Sequence, residues 1–202
     1  MSAKTIIFDF GGVLIDWNPR YLYTKIFDDP EKMEWFLANI CTMEWNLSMD
    51  AGKPFKQGVT ERIAIHPEWK PQIEAFHHRW PEMLGGSIAG SVEILEKLIC
   101  NGYKVLGLTN WSAETFPVAR QLFPFLNHLH GIVVSGEEKL VKPDPAIFNI
   151  LLQRYSLNAE QCIFIDDNPE NIAVASKLGF DSILFTTPEN LAHDLLLRGI
   201  IQ

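Results

Sequence analysis

The chain is predicted to be an α/β protein: a Rossmann-like, doubly wound parallel sheet carrying an inserted small α-helical cap. Two observations support the sheet. Short apolar runs recur along the chain, each bounded by glycine or polar turn residues, as expected of strands buried on both faces. From Ser91 onward these runs alternate with amphipathic stretches, and strands alternating with helices imply a parallel sheet covered on both sides. A third observation gives the cap. Between Asp16 and Gly86 strand patterns vanish, aromatics are dense and charges alternate with apolar residues. The expected division is a core of residues 1–15 and 87–202, with a helical cap of residues 16–86.

The first strand is Ile6-Ile7-Phe8, running into Asp9 and then Gly11-Gly12-Val13-Leu14. Open α/β sheets keep their ligands at the C-terminal ends of strands. An aspartate at that place has no packing reason to be there, and glycines beside it let the backbone turn sharply and approach a bound group. Within the insert, Pro30–Asn39 and Trp69–Trp80 read as amphipathic helices, with Trp35, Trp45, Trp69 and Trp80 as packing residues. Gly85-Gly86 reads as a hinge back to the core. Ser91 is placed to cap a helix whose Val92, Leu95, Leu98 and Ile99 share a face and which Gly102 ends. Tyr103–Thr109 is the second strand, ending in Thr109-Asn110, and a helix is expected around Glu114–Leu122. Gly131–Ser135 is the third strand. Lys142-Pro143-Asp144-Pro145 opens a helix, with Asp144 as N-cap and Pro145 in the first turn. Cys162–Ile165 is the fourth strand, ending in Asp166-Asp167; Asn168-Pro169 opens the next helix and Gly179 ends it. Ser182–Phe185 is the fifth strand. The expected order across the sheet is third, second, first, fourth, fifth.

Composition narrows the partners. A formal net charge of −8 argues against nucleic acid. It leaves a phosphorylated substrate open, because a bound metal can supply local positive charge. The three cysteines, Cys41, Cys100 and Cys162, are odd in number and unrelated in spacing, which suggests reduced thiols and a cytoplasmic setting. Cys100 and Cys162 lie in apolar neighbourhoods and read as core residues. No apolar run approaches the length of a membrane span. The first strand starts within a few residues of Met1, which leaves no room for a signal peptide.

Polar groups sit at four strand ends or nearby loops: Asp9, Thr109-Asn110, Lys142 and Asp166-Asp167. Each has an ordinary reading. Thr109 and Asn110 suit a turn, Lys142 a surface position, and Asp166-Asp167 the capping of a helix. Together they fall at one edge of one sheet. Three carboxylates meeting there repel unless a cation or a proton compensates. Carboxylate and carbonyl oxygens are the ligands Mg²⁺ prefers, and a lysine with a hydroxyl can hold phosphoryl oxygens. The combination points to metal-assisted phosphoryl transfer with a carboxylate nucleophile.

These residues resemble the haloacid dehalogenase superfamily, in its group with a helical cap inserted after the first strand. The resemblance covers nearly the whole chain through four motifs in order: Ile7-Phe8-Asp9-Phe10-Gly11-Gly12-Val13-Leu14; Val105-Leu106-Gly107-Leu108-Thr109-Asn110; Lys142-Pro143-Asp144-Pro145; and Ile163-Phe164-Ile165-Asp166-Asp167-Asn168, followed by Asn171. The first motif, continued by Asp16-Trp17-Asn18-Pro19-Arg20, also resembles the bacterial branch containing sugar-phosphate phosphatases. By resemblance, Asp9 is the nucleophile, forming an aspartyl-phosphate and binding Mg²⁺ through its other oxygen. Thr109 and the Asn110 backbone bind the transferring phosphoryl group, and Lys142 neutralises charge on Asp9 and phosphate. Asp167 is the direct metal ligand, Asp166 acts mainly through metal-bound water, and the Gly11 carbonyl is a further ligand.

One position departs from that pattern. Phosphatases of the family carry a second aspartate two residues after the nucleophile as general acid and base; here that residue is Gly11. Either another group or a water supplies the proton, or turnover is slow, or the leaving group needs little help. The last case implies a steep dependence of rate on leaving-group pKa. The expected activity is a Mg²⁺-dependent phosphatase of a small phosphorylated metabolite, with a sugar phosphate as the suggested class. Its rivals are a 2-haloacid dehalogenase, in which Asp9 attacks carbon, and a catalytically weak phosphate-binding regulator. Specificity is expected at Asp16–Arg20 and at a loop near Trp45-Asn46.

Overall fold

A computed structural model describes residues 4–201. Five strands form one parallel sheet: β1 (Thr5–Phe8), β4 (Lys104–Thr109), β5 (Ile132–Val134), β6 (Cys162–Asp166) and β7 (Asp181–Leu184). Their order is β5-β4-β1-β6-β7, as expected from the sequence. Alternation along each strand feeds two apolar layers. Ile6, Phe8, Val105, Ile163 and Ile165 face one side, where α6 (Ala89–Cys100), α7 (Phe116–Leu122) and α11 (Pro188–Leu197) add Leu95, Ala119 and Leu191. Ile7, Leu106, Leu108 and Phe164 face the other, against Phe148 of α9 (Pro145–Arg154) and Ala175 of α10 (Pro169–Lys177). The short α8 (Ser135–Glu138) follows β5 directly.

Register brings the polar strand ends level. Phe8 pairs with Gly107 on one side and Ile165 on the other. Asp9, one residue on, therefore lies beside Leu108 and Asp166, and its N–H donates to the Ile165 carbonyl at 2.9 Å.

The insert holds α1 (Arg20–Tyr23), α2 (Pro30–Asn39), α3 (Met43–Asp50), α4 (Phe55–Ile65) and α5 (Lys70–His78). Local chemistry sets their starts: Asp29 accepts from the Glu31 N–H at 2.9 Å ahead of Pro30, and Thr42 from the Trp45 N–H at 3.1 Å. One aromatic cluster joins Tyr23, Phe27, Phe36 and Trp69. A second stacks Trp45 edge-on to Phe76 at 4.9 Å, with Phe55 alongside.

Several local expectations are corrected. The insert is entered and left through an antiparallel ribbon, β2 (Ile15–Trp17) with β3 (Leu84–Ser87), so Gly85 and Gly86 are strand residues rather than a free hinge. Strands of three and four residues are too short for a periodic signal. Trp45 and Asn46 belong to α3, not to a loop. The stretch Trp69–Trp80 is α5 between two 3₁₀ turns, Pro67–Trp69 and Trp80–Met83, since prolines at 67, 71 and 81 each favour a helical start. Trp35 is half exposed, resting against Trp69 at 5.9 Å. Ser91 is not a cap: α6 begins two residues earlier, and Ser91 is buried inside it. Cys100 is exposed at the end of α6, whereas Cys162 is buried as expected.

Trp45 tests the insert's packing. It is buried, and its Nε1–H donates to the Gly58 carbonyl at 3.2 Å. Trp45→Ala opens a cavity and removes that hydrogen bond, and should cost about 3–5 kcal/mol in denaturant unfolding followed by far-UV circular dichroism. A loss below about 1 kcal/mol would show that the aromatic cluster is not what holds the insert together.

Candidate active site

Lys142 lies at the centre. It is 2 % exposed, and its ammonium has three oxygen neighbours: Asp166 Oδ2 at 2.7 Å, Asp9 Oδ1 at 2.9 Å and the Leu108 carbonyl at 2.9 Å. Burial works to lower its pKa, but the two carboxylates outweigh it and hold the pKa above the ordinary lysine value. The surface reading of this lysine is therefore excluded. Asn110 fixes the backbone beneath it: its Nδ2–H donates to the Lys142 carbonyl at 2.9 Å, and its Oδ1 accepts from the Lys142 N–H at 2.8 Å.

The carboxylates differ in what they have left to offer. Asp166 is fully buried and saturated. Its Oδ1 accepts from the Asn168 N–H at 2.8 Å, its Oδ2 from Lys142, and Asn171 Nδ2 reaches both oxygens at 2.9 and 3.0 Å. It caps no helix; Asn168 does that for α10. Asp9 has one oxygen clamped, Oδ1 accepting from the Phe10 N–H at 2.7 Å and pairing with Lys142. Among the described residues no hydrogen bond or ion pair engages its Oδ2. Asp167 is exposed to the cavity and carries no ion pair among the described residues. One ligand oxygen from each of Asp9, Asp166 and Asp167 lies within 4.8 Å of the others.

One lysine cannot balance three carboxylates so close together. Burial pushes Asp9 up to about 7 against the pull of Lys142, with Asp166 and Asp167 adding to the rise. Asp167 is raised by desolvation between the cavity walls and by the charge of Asp166. This set of hard oxygen donors with surplus negative charge fits a hard divalent cation, and Asp9, Asp167 and the Gly11 carbonyl would hold it.

The two adjacent glycines stand there for different reasons. Gly12 has φ +75°, and a Cβ on it would collide with the Asp167 carboxylate. Gly11 has no such constraint: nothing lies within 4 Å of where its Cβ would be. Gly11→Ala should therefore leave the melting temperature nearly unchanged. Gly12→Ala should lower it by several degrees. Equal behaviour of the two variants would contradict this distinction.

The other expected phosphate ligand is placed differently. Thr109 ends β4 at 1 % exposure with an unpartnered Oγ1, behind the cavity wall rather than on it. A buried hydroxyl left so costs about 1–3 kcal/mol.

A cavity of about 790 Å³ opens over these groups. Asp9, Gly11, Gly12, Asn110, Lys142 and Asp167 line its floor. Trp17, Met43, Asn46, Leu47, Asp50 and Trp80 line its upper wall from the insert, and Trp111 its side. Of Asp16–Arg20, only Trp17 reaches it. Asp16 accepts from the Tyr21 hydroxyl at 2.6 Å and Arg20 pairs with Glu34, both exposed. Asp50, Trp80 as a wall residue and Trp111 were not singled out as site residues by the sequence.

This geometry defines a class: a capped, Rossmann-like enzyme with an aspartate-centred site at the switch point of its sheet. The family model for haloacid dehalogenase-like hydrolases matches residues 3–179, and the chain belongs to that family. The chain is 26 % identical to the sesquiterpene phosphatase astK of Aspergillus oryzae, over 99 % of this chain and 97 % of that protein. It is 29 % identical to (S)-2-haloacid dehalogenase 4A of Burkholderia cepacia, over 46 % of this chain and 40 % of that enzyme. A magnesium complex of a HAD family enzyme from Bacteroides thetaiotaomicron shares the fold, with a TM-score of 0.76 at 21 % identity, covering 98 % of this chain and 100 % of that one. Among the described residues, no helix is long and apolar enough to cross a membrane.

Removing Lys142 should strip Asp9 and Asp166 of their shared counter-charge. Lys142→Ala is expected to cost about 3–5 kcal/mol in urea unfolding, as for breaking a buried ion pair. A loss under about 1 kcal/mol would mean that the carboxylates bind protons in the native state and need no cation partner.

Proposed function

We propose that the chain is a Mg²⁺-dependent phosphatase of a small phosphorylated metabolite, working through an aspartyl-phosphate on Asp9. The observation that carries this reading is the asymmetry of Asp9. One oxygen is held by Lys142 and the Phe10 N–H while the other is free at the cavity floor beside Asp167. A nucleophile needs such a fixed carboxylate with one open lone pair.

In this mechanism the free Asp9 oxygen attacks phosphorus as the ester P–O bond breaks. Lys142 holds the negative charge building on Asp9 and the phosphoryl oxygens. The Asn110 N–H, on the cavity floor, receives those oxygens. Water then attacks phosphorus, releasing phosphate and regenerating the Asp9 carboxylate. Mg²⁺ at Asp9, Asp167 and the Gly11 carbonyl would supply Lewis-acid neutralisation of the phosphoryl charge. Asp166, saturated by protein donors, would orient the site from behind.

Trp17, Trp80 and Trp111 with Met43 and Leu47 give the upper cavity flat, apolar surfaces. They suit an organic group with an apolar or ring face, including the C–H face of a sugar, as the part of the substrate remote from phosphate. The dehalogenase reading fits less well. A haloacid is itself an anion, and Asp167 beside the nucleophile repels it unless a cation intervenes. The odd number of cysteines supports a cytoplasmic setting.

Phosphate release from a panel of phosphorylated metabolites tests the reading. Activity should require Mg²⁺ and vanish in chelator. Asp9→Asn should be inactive, Asp167→Ala should lose Mg²⁺-dependent turnover while keeping its melting transition, and Lys142→Ala should lose about a hundredfold or more in kcat. Metal-independent chloride release from 2-chloropropionate, without phosphate release from any ester, would replace this reading with the dehalogenase one.

A further inference from the structure

We propose that Asp50, carried by the insert, is the general acid and base that position 11 does not provide. The inference rests on the phosphatase reading above. Asp50 is the last residue of α3 and lines the cavity opposite the strand-end carboxylates. Two hydrogen bonds hold it there: Asn46 Nδ2–H donates to its Oδ2 at 2.9 Å, and its own carbonyl accepts from the Ser135 hydroxyl at 2.6 Å. The Ser112 backbone N–H lies close enough to act on its carboxyl group. Ser112 follows directly on the strand end that carries Thr109 and Asn110, so this proximity brings the insert's carboxylate to the phosphoryl-binding edge.

Every other titratable group on the cavity is committed or exposed. Asp9 is the nucleophile, Lys142 is locked between two carboxylates, and Asp167 belongs to the cation. Glu44 and Glu170 are exposed, and among the described residues no histidine, tyrosine or cysteine lines the cavity. Asp50 alone is both fixed and unassigned. Its environment suits a proton donor. Desolvation raises its carboxyl to about 7, and the charge of Asp9 adds to the rise against the hydrogen bonds from Ser112 and Asn46. An acid at a helix C-terminus also meets the negative end of the dipole, an unfavourable placement that function would explain.

The proton inventory closes. As Asp9 bonds to phosphorus and the ester P–O bond breaks, the protonated Asp50 gives its proton to the departing alkoxide, releasing an alcohol. The Asp50 carboxylate then takes a proton from the water that attacks the aspartyl-phosphate, leaving phosphate, free Asp9 and protonated Asp50.

The test compares benzyl phosphate, whose alkoxide leaves poorly, with 4-nitrophenyl phosphate, of similar shape but with a good leaving group. Measurements are made with Mg²⁺ on the full chain. The native protein should show a shallow dependence on leaving group, contrary to the steep one expected if nothing replaces the residue missing at position 11. Asp50→Asn should lower the benzyl-to-4-nitrophenyl ratio of kcat by about a hundredfold or more, the usual worth of a positioned acid. Adding Gly11→Asp to that variant should restore much of the ratio, since position 11 has open space for the side chain. An unchanged ratio in Asp50→Asn overturns the proposal, and so does an equal loss on both esters, which would make Asp50 a binding or structural residue. If the native protein hydrolyses neither ester with Mg²⁺ and releases phosphate from no metabolite, the phosphatase reading itself falls.

Discussion

The ammonium of Lys142 is the interaction on which the site depends. Its three protons have three oxygen neighbours within 2.9 Å, from the end of β1, the end of β6 and the body of β4. A lone charge at 2 % exposure would be expelled or neutralised. Here it draws together carboxylates that would otherwise repel, and Asn110 and Asn171 brace the two ends of the arrangement. The compensation is incomplete by design of the residue set: one cation faces Asp9, Asp166 and Asp167. The remaining negative charge is what makes a divalent cation chemically complementary; burial, with that charge adding to it, holds Asp9 and Asp167 above their ordinary values.

The insert adds what the sheet lacks. The strand ends offer a nucleophile, cation ligands and phosphoryl donors, but little apolar surface. Trp17, Met43, Leu47 and Trp80 supply that surface, and Asp50 a second kind of carboxylate. The insert is tied to the core by polar contacts at its lower edge. The Ser135 hydroxyl donates to the Asp50 carbonyl while accepting from the Trp111 N–H, and Glu114 accepts from the Phe55 N–H at 2.9 Å. These ties fix direction beside a continuous apolar contact, in which Trp80 of the insert packs edge-on against Trp111 at 5.6 Å.

Gly11 and Gly12 show why one motif mixes constraint with choice. Gly12 is dictated by backbone conformation and by the Asp167 carboxylate beside it. Gly11 is dictated by neither, so its lack of a side chain is a chemical statement about the site rather than a packing requirement. A substitution pattern alone does not separate the two; the space around each α-carbon does.

The sequence by itself determined the strands of the sheet and the strand-end constellation of Asp9, Asn110, Lys142 and Asp167. These follow from local pattern: apolar runs of strand length, caps such as Asp144 and Asn168, and polar residues just past the strands. The strand order was expected from the doubly wound fold rather than from any local run. The β2–β3 ribbon was not legible, because strands of three and four residues carry no periodicity and pair only when the insert has folded. The burial of Ser91 and the exposure of Cys100 depended on where α6 begins and which face it turns to the sheet, a packing choice. Thr109 lay behind the cavity wall rather than on it, which only the packing of neighbouring strands decides. The place of Asp50 was decided wholly by tertiary structure. Its one local sign was an acid at a helix C-terminus, and its meaning came from Ser112 and Ser135, 62 and 85 residues away in the chain, which meet it only when the insert closes over the sheet.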